Sequence, residues 1–385
     1  MVIYRRLRVP HGGSTLEATC YRPDGTGTVE AVPSPAAARA TDGLGPASAP
    51  LSRGRRSSWF PILVLMTLSI TFAEFMTGST PFFTAFLNPI SLLFLFGLYG
   101  LGVLLVREAS VRFRNGWVSV VFLGMAYGIL EEGFGTKTFF DPNSSVVGFF
   151  GTYGHFAGVN WVWAFQLTIF HAVFSIALPI LFLGLLFPAT QGQRLISPNQ
   201  TVLALVGFVF TVAVMFVLFD RASTPSAGLL AASAAVVVAF AVLARRAQPD
   251  WFAVLSRWGP RTPKQLLAAG AGFVSGFFFL NWVGSHYLAV PATVVLLELA
   301  LGTLVVALVL PTVNFGGSPR ARLAFGAGLL SFMFVLATLQ GFTGDWGVVF
   351  PIAGVLYMLW YLNRSIPSSE PPAVPAHVLG TAPGS

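Results

Sequence analysis

Charge is scarce in this chain. Only 9% of its 385 residues are Asp, Glu, Lys or Arg, against about 25% in a soluble globular protein. Cysteine occurs once, at Cys20, which excludes an intrachain disulfide and any cysteine-based zinc site. No phosphate-binding glycine loop, dinucleotide fingerprint or HExxH helix is present, so nucleotide chemistry within the chain is not expected. The basic start, MVIYRRLRVPHGG, lacks an apolar core, and a classical cleavable signal peptide is therefore not expected. The apolar stretches are continuous rather than alternating, which excludes a β-barrel pattern.

What fills the chain instead is hydrocarbon. Hydrophobic residues make up 55% of it and the mean hydropathy is +0.75. A water-soluble core cannot hide that much Phe, Leu and Val, so the solvent for most of the chain is lipid. The expected fold class is all-α, a polytopic transmembrane helical bundle of about ten spans: Trp59 to Gly78, Pro89 to Val106, Trp117 to Phe134, Asn160 to Phe187, Thr201 to Phe219, Ser226 to Ala244, Gln265 to Val283, Ala289 to Leu310, Ala321 to Gln340 and Trp346 to Leu362. Each is near the roughly 20 residues a bilayer requires. The fourth is long enough to expect tilt or a kink near Pro179. Residues 1–57 and 365–385, rich in Ala, Pro, Gly and Ser, are read as disordered cytoplasmic tails around a membrane domain, 58–364.

Arginine placement orients the bundle. With the N-terminus in the cytoplasm, the inner loops hold Arg107, Arg112, Arg114, Arg194, Arg245, Arg246, Arg257, Arg261, Lys264, Arg320 and Arg322, while the outer loops hold only Lys137 and Arg221. The positive-inside rule then places both termini in the cytoplasm. The net charge of +8 is thereby assigned to topology and anionic lipid. The lipid bilayer is the expected partner, with no nucleic acid and no nucleotide. Arg107, Glu108 and Arg112 read as an interfacial charge set.

Acid and imidazole groups gather toward the opposite side. Glu74 closes the first span, and Glu131 and Glu132 close the third. His171 lies eleven residues into the fourth, about 16 Å along a helix. Ionisable groups at that depth are functional-site hypotheses by default. On the fourth span Asn160, Ala164, Thr168, His171 and Ser175 follow helical spacing, which defines a polar face turned away from lipid. Adjacent carboxylates diverge by about 100° on an α-helix, so one of the pair is expected at this face and the other elsewhere, with Lys137 as its partner. Trp161 and Trp163 read as interfacial anchors. Glu298, alone in AVPATVVLLELALG, needs a partner from another helix or a proton. His155 and His286 read as loop or interface groups. The connector 135–159 is too apolar for a free loop and reads as a re-entrant or interfacial segment capping the site, with a turn at Asp141-Pro142-Asn143.

At Glu131-Glu132 and at Leu167-Thr168-Ile169-Phe170-His171 the chain loosely resembles the CPBP (Abi) intramembrane proteases, whose motifs are EExxxR, FxxxH and HxxxN. The resemblance covers about 50 residues. It implies a helical membrane bundle that hydrolyses peptides, with a glutamate activating water and histidines assisting. Here Leu167 replaces the Phe, Lys137 comes six residues after Glu131 rather than five, Ser175 stands where Asn is wanted, and no second His motif follows at membrane depth. The stretches STPFF, EEGFGTKTFFDP and GVNWVWA also look like prokaryotic multispan membrane proteins of no assigned function, and that likeness is the closer one. It implies a prokaryotic cell, with the chain in its plasma membrane.

Three functions fit these residues. A membrane-embedded hydrolase would use Glu131, Glu132 and His171 as catalytic groups, with Asn160, Thr168, Ser175, Lys137, Glu74 and Glu298 binding or supporting; a divalent metal is one option for it, with His171 as candidate ligand. A proton-coupled transporter would use the same groups, and would favour interrupted helices and an internal repeat. Asn160-Trp161-Val162 is echoed by Asn281-Trp282-Val283, but at opposite ends of their spans, so a simple five-plus-five repeat is not supported. A structural subunit would use the groups only to lock helices together.

Overall fold

A computed structural model describes residues 59–219, 224–248, 251, 259, 262–314 and 318–367. Residues 1–58 and 368–385 lie outside them, so the disorder expected there stands as an expectation, whereas Ser365 still belongs to a helix and the Ile366 carbonyl accepts from Arg320. The described residues include ten apolar helices: α1 (Trp59–Phe75), α2 (Pro89–Phe113), α3 (Gly116–Gly135), α4 (Trp161–Leu186), α5 (Pro198–Leu218), α6 (Ala227–Arg246), α7 (Pro263–Tyr287), α8 (Pro291–Asn314), α9 (Pro319–Phe342) and α10 (Trp346–Ser365). Among the described residues, nine are long and apolar enough to cross a bilayer, and α1 is shorter. α1 stops at Phe75 rather than running to Gly78, where the backbone turns left-handed (φ 74°).

Helix starts follow their caps rather than their hydropathy. Ser197-Pro198 and Thr262-Pro263 open α5 and α7 as capping boxes with Gln200 and Gln265, and Ser318-Pro319 opens α9. The hydroxyl satisfies an otherwise orphaned amide, while proline at the first helical position loses nothing because its amide would have had no partner. These helices therefore begin two or three residues before the apolar runs that announce them.

Packing is close where small residues face one another. α7 and α9 share the most extensive helix contact: a methyl group on Gly328 would lie 2.3 Å from the Leu267 carbonyl oxygen, and one on Gly270 would lie 2.6 Å from that of Phe325. In lipid, where burial of apolar area gives helices little reason to associate, such backbone approach supplies the van der Waals contact that holds them. α3 meets α4 in the same way. A Cβ on Gly124 would sit 2.8 Å from Ala172 Cα, and one on Gly128 would sit 3.1 Å from His171 Cβ. That crossing brings the end of α3 against the middle of α4. α5, α6 and α8 turn large apolar side chains outward, among them Leu203, Phe210, Val238 and Leu296, as a lipid-facing shell requires.

Among the described residues the α-helix is interrupted at five places by π-helical turns: Thr71–Phe75, Phe96–Gly100, Leu130–Gly135, His171–Ala177 and Leu280–Gly284. The irregularity expected in α4 near Pro179 takes this form. Proline 179 has no amide to donate to the carbonyl four residues back, that of Ser175. That carbonyl instead accepts from the Ser69 hydroxyl of α1 at 2.6 Å.

The connector between α3 and α4 packs as a cap. Its Phe139, Phe140, Val147 and Phe150 are buried. Asn143 donates its amide to Asp141 Oδ1 at 2.9 Å, the side-chain turn expected at Asp-Pro-Asn. The cap ends in a two-residue hairpin, β1 (His155–Phe156) against β2 (Val159–Asn160), turned through Ala157 and Gly158 at positive φ.

The glycine seam is testable. Gly328→Val should force backbone apart and lower stability by about 1–3 kcal/mol, seen as a fall in thermal midpoint in detergent. Gly354→Ala, with open space around its Cβ position inside α10, should keep that midpoint or raise it slightly.

Candidate functional site

Four helices deliver polar groups to one buried point, and each does so from a π-helical turn. Glu74 comes from α1, Tyr99 from α2, Glu131 and Glu132 from α3, and His171 with Ser175 from α4. A π turn holds more residues per turn than an α turn, so successive side chains diverge by less. This is why both carboxylates reach the same imidazole, contrary to the divergence that α-helical geometry predicts. Glu131 Oε2 lies 3.2 Å from His171 Nδ1, and Glu132 Oε1 lies 3.1 Å from Nε2. The Ser175 hydroxyl is 2.8 Å from Nδ1. All four side chains are buried.

The two carboxylates differ in how they are held. Glu132 is fully engaged: besides His171, its Oε2 accepts from the hydroxyls of Thr136, at 2.9 Å, and Thr138. Lys137, between these threonines, adopts the left-handed region (φ 61°), a conformation a non-glycine residue holds only where its surroundings fix it. Its ammonium group sits over the Phe216 ring, 5.0 Å from the centroid. Thr138 Oγ1 in turn accepts from Trp163 Nε1 at 3.0 Å, so Trp163 braces the site rather than serving only as an interfacial anchor. Trp161 stays exposed and donates to the Phe156 carbonyl.

Glu131 is held more loosely: its Oε2 is buried without a well-formed hydrogen bond, while the buried hydroxyls of Tyr99 and Tyr127 both approach its carboxylate. Tyr99 and Tyr127 flank the imidazole, their ring centroids 6.2 and 6.0 Å from it. The Tyr99 hydroxyl donates to Glu74 Oε1, and Thr80 donates to Glu74 Oε2 at 2.5 Å. The result is a connected polar layer from Thr80 through Glu74 and Tyr99 to the Glu131–His171–Glu132 cluster.

Other expected site residues lie apart. Asn160 is buried but points into the cap: its Nδ2 donates to the carbonyls of Thr138 (2.8 Å) and Asp141 (3.0 Å), and its Oδ1 meets His155 Nδ1 at 2.6 Å. It precedes the first turn of α4, so the helical face drawn through it begins one residue too early. Thr168 spends its hydroxyl on the Ala164 carbonyl of its own helix at 2.7 Å. Glu298 receives the partner its position demands, Asn281 Nδ2 at 3.4 Å, leaving Glu298 Oε2 and Asn281 Oδ1 buried without hydrogen bonds. That pair stands outside the His171 cluster. His286 Nδ1 is 2.9 Å from the Trp282 carbonyl, with the ring stacked on Phe149. Tyr99, Tyr127, Thr136, Thr138 and Ser69 are the contributors that sequence reasoning passed over. A lone tyrosine within the glycine-flanked FGLYGLG is the clearest signal any of them offered.

Glu131, Glu132 and His171 are close enough together that they could hold a metal ion. One ligand atom from each of Glu131, Glu132 and His171 lies within 4.8 Å of the others. Two carboxylates balance a divalent cation, so no net charge is left in lipid. With Ser175 on Nδ1, Nε2 would be the ligating nitrogen and Ser175 the outer partner that orients the ring.

This geometry separates the two acids experimentally. Glu132→Ala should strand two threonine hydroxyls and the imidazole, costing roughly 3 kcal/mol, whereas Glu131→Gln should change stability by less than about 1 kcal/mol. Thermal unfolding of the two purified variants against the parent protein measures the difference.

A family model described as an uncharacterized membrane protein family matches residues 63–366. No curated protein and no solved structure shows significant similarity to the chain.

Proposed function

The chain belongs to this uncharacterized membrane protein family, and from its geometry we propose that it is a membrane-embedded hydrolase acting through Glu131, Glu132 and His171. The observation that carries the reading is the asymmetry of the two carboxylates. Glu132 is anchored by three donors and orients His171, while Glu131 keeps a buried oxygen without a hydrogen bond 3.2 Å from the imidazole. An oriented imidazole beside a more loosely held carboxylate is the arrangement of a general base and its partner. Glu131 takes the proton of an attacking water and His171 carries it toward the leaving group, with the Tyr127 hydroxyl beside the Glu131 carboxylate. A divalent ion held by Glu131, Glu132 and His171 would supply Lewis acidity and an acidified water. The resemblance of the two motifs to intramembrane proteases makes a membrane-inserted peptide the substrate class. The cap would have to lift for it to enter, because Thr136 and Thr138 close over Glu132. In this reading the chain lies in a prokaryotic plasma membrane with both ends cytoplasmic.

The test compares peptide termini in membranes expressing the parent chain, Glu131→Gln or His171→Ala. New termini within membrane segments should accumulate with the parent and fall by about 100-fold or more in each variant. Unchanged termini in variants that fold normally would sink the hydrolase reading.

A second reading, proton-coupled transport, rests on a different observation: the Glu298–Asn281 pair, buried beside the π turn of α7 with two unsatisfied oxygens. Interrupted membrane helices are where transporters bind substrate and coupling ions. Here Glu298→Gln should abolish the response of proteoliposome uptake to an imposed proton gradient; a retained response removes Glu298 from any such mechanism.

A further inference from the structure

At the arginine-rich end of the bundle, three helix ends enclose a cavity of about 650 Å³, within the size range of small-ligand sites. It lies between the C-terminal turns of α2, the N-terminal turns of α5 and the last turn of α6. Arg112, Arg194 and Arg245 line its mouth against a single carboxylate, Glu108. Glu108 is already committed: Arg107 donates to its Oε1, the Leu195 amide does so at 2.9 Å, and Arg194 Nε stands 3.6 Å from its Oε2. Arg194 also donates to Thr201 Oγ1 at 3.3 Å. Among the described residues, Arg112 and Arg245 have no ion-pair partner, although Arg112 was expected to join Arg107 and Glu108. Asn115 fastens the end of α2 to that of α6 by donating to the carbonyls of Ala244 and Arg245, so the mouth is held in place rather than left to two loose side chains.

The lining changes character with depth. Leu105 lies seven residues before Arg112 on α2, about 10 Å along the axis, and Leu205 lies one turn beyond Thr201 on α5. The wall therefore runs from guanidinium groups at the helix ends to leucine toward the hydrocarbon. A phosphodiester with acyl chains attached is polarised in the same sense, whereas free phosphate would leave the leucine-lined half unused. Guanidinium forks bind phosphate oxygens in pairs, and basic pockets between membrane helices select anionic head groups.

We propose that this cavity is a binding site for an anionic glycerophospholipid, its phosphate held by Arg112, Arg194 and Arg245 and its chains laid against the leucine wall. The site is separate from the Glu131–His171 cluster and does not depend on how that cluster is read.

The experiment uses the full-length protein, delipidated in neutral detergent, and follows its thermal midpoint by tryptophan fluorescence during titration with phosphatidylglycerol, phosphatidylcholine or inorganic phosphate. Phosphatidylglycerol should act at roughly tenfold lower concentration than phosphatidylcholine, and the R112Q/R245Q double variant should abolish that preference, since each arginine contributes about 1 kcal/mol toward an anionic surface. Both substituted side chains are exposed, and an unchanged midpoint in phosphatidylcholine verifies that the variant is folded. Equal responses to the two lipids, or a preference that survives the double substitution, would overturn the proposal. Inorganic phosphate that reproduces the shift would replace the lipid with a free anion and overturn it as well. Glu131→Gln, as a control, should keep the full lipid preference.

Discussion

A carboxylate removed from water must be neutralised or surrounded by donors, and inside a bilayer neither comes from solvent. The arrangement of α1 to α4 answers this demand twice over. Glu74 is satisfied by Tyr99 and Thr80, and Glu132 by His171 and two threonines. Around those two settled acids the helices are fixed in register, with Ser69 tying α1 to the freed carbonyl of α4 and the glycines of α3 allowing the imidazole close. Glu131 is the acid the arrangement leaves underused. A protein that needed these groups only as glue would gain by satisfying it too.

The π turns connect sequence to that outcome. Such turns are rare and concentrate at functional sites, yet here every helix that feeds the cluster carries one, and α7 carries another at Asn281. Each costs helical regularity, and each re-aims a polar side chain relative to the flanking apolar ones. In α4 the sequence cause can be named: Pro179 frees the Ser175 carbonyl, and the widened turn runs from His171 to Ala177 immediately before it.

Most of the architecture was legible in the sequence, because continuous apolar runs of bilayer length leave few alternatives to helices. Grouping the Glu131-Glu132 segment with His171 and Ser175 was also legible, from burial cost and spacing, with one carboxylate of the two expected at the imidazole. What failed was angular. Treating α3 as uniformly helical sent one carboxylate away from His171, and extending α4 backward placed Asn160 on its face when that residue belongs to the hairpin. Thr168 follows the right spacing, but a hydroxyl on a membrane helix can satisfy itself on the preceding turn. Tyr99 and Tyr127 were invisible because tyrosine in an apolar segment reads as packing or as an interfacial belt, and only the three-dimensional crossing shows what its hydroxyl meets.

Asn160 has a practical consequence. Its one amide clamps backbone twenty residues upstream, at Thr138 and Asp141, and the same stretch carries the hydroxyls that close on Glu132. The connector between α3 and α4 is thus divided for protein engineering. Around Ser145 and Val146, where side chains are exposed, an epitope tag or fluorescent insertion can be accommodated without disturbing the interior. Between Thr136 and Asp141 the chain admits no such grafting, since a single added residue would carry the threonines off their carboxylate.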